Sequence, residues 1–73
     1  MAQTATRRMT AQRFSRQILT NYRLASRAAV SVSPSTVRIE SVHQDVLAAV
    51  EQLARAAHLR VVVTPCASII SGF

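Results

Sequence analysis

Residues 45–65, DVLAAVEQLARAAHLRVVVTP, constrain the fold more than any other stretch of this chain. Val46, Leu47, Val50, Leu53, Ala54 and Ala57 recur with the helical period, so one face of a helix is apolar and has to be buried. Alanine and leucine supply propensity, and Glu51 with Arg55 forms a favourable pair one turn apart. Ser41 or Asp45 marks the start, and Ser41 with Gln44 has the spacing of a capping box. The pattern predicts a helix over 43–57. Leu59 to Val63 then carries three consecutive valines and stops at Thr64-Pro65, which predicts a strand over 59–64 buried on both faces. Upstream, Val37 and Ile39 alternate with Thr36, Arg38 and Glu40, the pattern of a half-buried strand over 36–40. Strand, helix and strand within about thirty residues make a βαβ unit with parallel strands.

Such a unit cannot stand alone, because two strands leave two open edges and a valine-rich strand needs cover on each face. Cover can come from an N-terminal helix, from Ala67 to Ile70 returning as a strand, or from another chain. It can also come from a hairpin across Ser33-Pro34-Ser35 that pairs Val30 and Val32 with 36–40; those two valines equally fit a frayed helix end. A protein partner or a homodimer is therefore a physical expectation. With 73 residues there is room for one domain, and a core of that size supplies only ~3 to 5 kcal/mol.

The N-terminal half is built differently. After a loose start over residues 1–6, neither Gly nor Pro interrupts the chain up to residue 29. Phe14, Ile18, Tyr22, Ala25 and Ala29 share one helical face, while Arg13, Arg16, Arg23 and Arg27 fall on the opposite one. The spacing predicts a basic amphipathic helix over 9–29, with Leu19 and Leu24 on its flanks, ended ahead of Pro34. The expected fold class is α+β: this helix followed by the small βαβ unit, with the Val30 hairpin as an optional extra strand, all within one domain over 7–73.

Charge follows the same division. All nine basic residues are arginines; seven precede residue 40, where no acid occurs, and the net charge is +6. A segregated positive half attracts polyanions. Guanidinium groups offer planar, bidentate donors to phosphate or carboxylate, so Arg13, Arg16, Arg23 and Arg27 are the candidate polyanion-binding residues, against the alternative of a merely solvated face. Phe14 and Tyr22, at helical spacing with Ile18, are expected in the core, which favours contact with a nucleic-acid backbone over reading of its bases.

Other chemistry finds little support. His43 and His58 bracket the second helix and the three acids are scattered, so no nucleophile and base are set together and no enzyme is expected. Gly72 is the only glycine, which excludes a glycine-rich phosphate loop, and no metal spacing or cofactor motif exists. His58 stands where a helix usually ends in Gly and is expected to interact with the last carbonyls. The lone Cys66 fits a reducing, cytoplasmic setting and is expected as a small buried hydrophobe. Arginines interrupt any secretory apolar run and no stretch approaches a transmembrane span, while the acid-free start has the composition of a mitochondrial presequence.

From Asp45 onward, with Ile70 to Gly72, the chain resembles the short N-terminal domain shared by secretins and TonB-dependent receptors. Val46, Val50, Leu53, Ala54, Leu59, Val61, Val62, Val63, Pro65 and Gly72 match that pattern in type and spacing. The chain departs from it at His58, where the family usually has Gly; the family's secretory signal is not expected here, and the family continues into further strands and a helix. The resemblance implies a βαβ core and a protein-docking module, and no catalytic residues.

Three functions follow as expectations. The first is a non-enzymatic protein whose arginine-lined helix docks on nucleic acid or a nucleoprotein; its size and composition fit a phage or mobile-element inhibitor of a host machine. The second is a protein-docking module of the secretin type, acting through sheet edges. The third is a basic helix lying on a membrane surface or serving import.

Overall fold

A computed structural model describes residues 9–73. The expected loose start over 1–6, together with Arg7 and Arg8, lies outside the described residues. The fold is α+β: α1 (Ala11–Leu19), α2 (Tyr22–Ala25), β1 (Ala29–Val32), β2 (Thr36–Glu40), α3 (Gln44–Ala56), β3 (Arg60–Thr64) and β4 (Ala67–Ser71).

The single helix expected over 9–29 is broken in two and stops at Ala25, and its last expected residue, Ala29, opens a strand. Thr10 caps α1 by accepting from the Arg13 N–H at 3.1 Å. At the other end the Thr20 hydroxyl donates to the Gln17 carbonyl at 2.9 Å, and the Asn21 side chain accepts from the Arg23 and Leu24 N–H groups. Side chains that satisfy backbone groups locally in this way compete with helix continuation. The new N-cap at Asn21 resets the helical phase. Leu24, expected on a flank, is therefore buried, whereas Tyr22, expected in the core, is 84% exposed.

The Val30 hairpin forms, closed by reciprocal backbone bonds between Ser33 and Thr36, and β1 pairs antiparallel with β2. The βαβ reading needs one correction. β2 and β3 run parallel but are not neighbours, because β4 lies between them and pairs antiparallel with both, giving the order β1-β2-β4-β3. The two-residue turn at Pro65-Cys66 folds β4 back on β3 at once. β3, expected to be buried on both faces, is consequently an edge strand in which only Val61 is half-buried. The central place goes to Ala67–Ser71.

Alternation separates the two sheet faces. Val37, Ile39, Ser68 and Ile70 point toward the helices and are fully buried with Phe14, Ile18, Val46 and Val50. Arg38 and Val62 point the other way, and among the described residues no helix covers that face. The Ser68 hydroxyl has no hydrogen-bond partner among the described residues, a costly feature at the centre of a sheet.

α3 ends as a Schellman motif, with the His58 N–H donating to the Arg55 carbonyl at 3.0 Å and the Leu59 N–H to the Ala54 carbonyl at 2.9 Å. The capping expected of His58 is thus done by its backbone, at a left-handed φ of 61°. That conformation strains any side chain, so His58→Gly is expected to stabilise the domain by about 0.5 to 1 kcal/mol, raising Tm by several degrees in a calorimetric scan.

The start of α3 also differs from expectation. His43 is the N-cap, without a side-chain hydrogen bond. The Ser41 hydroxyl does not cap the helix as a capping box would. It accepts from the His43 N–H at 3.0 Å and donates to the Arg27 carbonyl at 2.6 Å. Leu53 and Ala57, expected in the core, are half-buried.

Candidate polyanion-binding surface

All seven described arginines, Arg13, Arg16, Arg23, Arg27, Arg38, Arg55 and Arg60, are exposed. Every acid in the chain is matched to one of them. Asp45 lies 3.7 Å from Arg23, Glu40 2.9 Å from Arg38, and Glu51 pairs with Arg55 along α3. These pairs are largely solvent-exposed, so each contributes little to stability and serves mainly to neutralise local charge. Arg13, Arg16, Arg27 and Arg60 have no acid partner among the described residues. The unopposed positive charge therefore sits at the start of the chain's fold and at the sheet.

The four sequence-predicted site residues do not form one stripe. Arg13 and Arg16 stay together on α1, beside Gln17 and Thr20, one helical turn apart on the face opposite buried Phe14 and Ile18. Arg23, displaced by the break at Asn21, lines a separate depression with Asp45. Arg27 follows α2 and lines a shallow groove of about 650 Å³ with Arg38, Glu40, His43, Thr64 and Cys66. The arrangement offers guanidinium groups in three places, and an extended anion could touch more than one.

Two residues change role. Tyr22 presents an exposed ring next to Arg23, where its face is free to stack. Asn21 carried the signal for this, as a strong N-cap residue inside an otherwise helical pattern. Cys66, expected to be buried, is an exposed free thiol in the β3–β4 turn; a tight turn leaves it no core to enter. Phe14 is buried as expected, its ring 5.9 Å from that of Phe73.

Among the described residues no three of His, Cys, Asp and Glu gather into a metal-binding group, and no helix is long and apolar enough to cross a membrane. No protein-family model, no curated protein and no solved structure matches this chain.

Proposed function

We propose that the protein is a non-enzymatic binding module that docks on nucleic acid or a nucleoprotein through its exposed guanidinium groups. The observation that carries this reading is the unequal pairing: three acids occupy three arginines, and Arg13, Arg16, Arg27 and Arg60 are left to face solvent. Arg13 and Arg16 on α1 are the primary contacts, Arg27 a secondary one, and Arg23 contributes once its weak surface pair with Asp45 opens. Tyr22 adds a stacking surface for single strands. A cytoplasmic location and an inhibitory role toward a host nucleic-acid machine belong to the same proposal.

Salt titration tests it. With about four phosphates neutralised, affinity for DNA or RNA is expected to fall about a hundredfold between 50 and 200 mM salt. Arg13→Glu with Arg16→Glu is expected to lower affinity at least tenfold and to flatten the salt slope, with circular dichroism unchanged because both sites are exposed. Affinity that ignores salt, or a charge-reversed variant that binds like the parent, overturns the reading.

Protein docking in the manner of the secretin module is the second reading, favoured by the sheet edges β1 and β3, which no further strand covers among the described residues. The membrane-surface reading loses ground because Phe14 and Ile18, the residues that would enter a bilayer, are fully buried in the domain's own core. The same packing speaks against α1 as a removable import segment.

A further inference from the structure

We propose that β3 is a self-association edge: it pairs antiparallel with β3 of a second copy, centred on Val62, so that two four-stranded sheets become one continuous sheet across a two-fold axis. This inference goes beyond the polyanion reading and does not depend on it.

The first support is exposure. β3 has β4 on one side and no strand on the other among the described residues, and Val62 and Val63 are 56% and 48% exposed. Edge strands are commonly protected by a bulge, a proline or a charge within the strand. β3 has an unbroken five-residue register with β4, no proline, and a charge only at its first residue, Arg60.

The second support is the phase of the backbone. The Ser41 N–H donates to the Cys66 carbonyl at 3.0 Å, so Cys66 turns its backbone groups toward the β2 side, as do Ser68 and Ile70 by alternation. Ala67, Ile69 and Ser71 must then turn toward β3, where their partners are Thr64, Val62 and Arg60. That leaves the N–H and C=O groups of Val61 and Val63 pointing outward. In an antiparallel pair centred on Val62, Val61 meets Val63 of the second copy twice over, and every one of those groups finds a partner.

The third support selects the register and the occupant. Centring on Val62 sets Arg60 opposite Thr64 of the second copy. The two Arg60 residues then stand four positions apart along the strands, about 13 Å, beyond the ~8 Å screening length. Centring on Val61 would bring them to two positions apart, about 7 Å along the strands. Centring on Val63 would draw Pro65, which has no N–H, into the ladder. On the uncovered face, Val62 and its neighbour Ile69 would join the same pair from the second copy in one apolar strip. β3 carries no acid and a single terminal base, so nothing in it selects a charged peptide; the complement it fits is itself. β1 is shorter and has Ser31 at its middle.

Sedimentation of the full chain in a Cys66→Ser background, from low micromolar to millimolar concentration, tests the proposal. The mass is expected to double with concentration, and added salt should preserve or strengthen association because it screens repulsion between basic chains. Polyanion binding should weaken under the same salt, so the two readings fail separately. Val62→Cys in that background should cross-link on oxidation, since a non-hydrogen-bonded antiparallel pair sets its Cα atoms about 4.5 Å apart, within disulfide range. Val62→Arg should remain monomeric with an unchanged circular dichroism spectrum. A chain monomeric at every concentration overturns the proposal, as does association that survives Val62→Arg. Cross-linking through Ser31→Cys in preference to Val62→Cys would place the pairing at β1 and overturn it too.

Discussion

Phe14→Ala is expected to leave the chain without a cooperative thermal transition at room temperature. Phe14 is fully buried, and its ring packs against Phe73 at 5.9 Å with a tilt of 56°. It also joins α1 to the sheet, through the cluster that contains Ile18, Val37, Ile39 and Ile70. Truncating a buried Phe costs about 3 to 5 kcal/mol, and a favourable aromatic pair adds to that. A domain of this size commands about as much stability in total. The loss therefore removes the fold rather than loosening it. Tyr22→Ala is the control, since its ring is mostly in solvent and its removal should move the melting temperature very little. Thermal scans followed by near- and far-ultraviolet circular dichroism separate the two. A Phe14→Ala protein that still melts cooperatively would mean that α1 is not an integral part of the core.

The contrast between those two aromatic residues also shows how far the sequence could be read. Phe14 and Tyr22 occupy equivalent positions in the helical pattern, eight residues apart, and periodicity alone assigns them the same fate. What separates them is the Thr20-Asn21 dipeptide, whose side chains engage the backbone on either side and restart the helix out of phase. α3 and β2 were legible because each follows a single period with no such interruption, and β3 because its run of branched residues stops at Thr64-Pro65. The position of β4 was not. Local pattern shows that Leu59 to Val63 favours a strand, but strand order depends on contacts between segments distant in sequence, which local pattern does not encode. The two-residue Pro65-Cys66 turn sets Ala67–Ser71 against β3, in the place a βαβ pairing would give to β2. The same misplacement explains why the valine run, read as the buried centre, became the exposed edge. For the site, the arginines were legible as residues and their pairing with acids was not. Arg23 and Asp45 are far apart in sequence and meet only because α2 packs near the start of α3.

Ser41→Ala is expected to cost about 2 kcal/mol or more, well beyond an ordinary serine truncation. The side chain is nearly buried, donates to the Arg27 carbonyl and accepts from the His43 N–H, while its own N–H donates to the Cys66 carbonyl. One residue thus ties the segment ahead of β1 to the start of α3 and to the β3–β4 turn. Alanine keeps the backbone bond and removes the hydroxyl, leaving the Arg27 carbonyl and the His43 N–H unpaired. Each orphaned group costs about 1 to 3 kcal/mol, toward the lower figure here because Arg27 and His43 line an open groove. In a domain this small the total corresponds to a fall in melting temperature of roughly 10 °C. Ser41→Thr keeps a hydroxyl and should recover part of the loss. Because the Ser41 bond fixes the backbone at Arg27, the alanine variant should also weaken polyanion binding, though less than reversing the charges on α1. Denaturant titration of the two variants, read beside binding at one salt concentration, tests both halves. A cost below about 0.5 kcal/mol would mean that solvent replaces the hydroxyl and that Arg27 is held by something other than this bond.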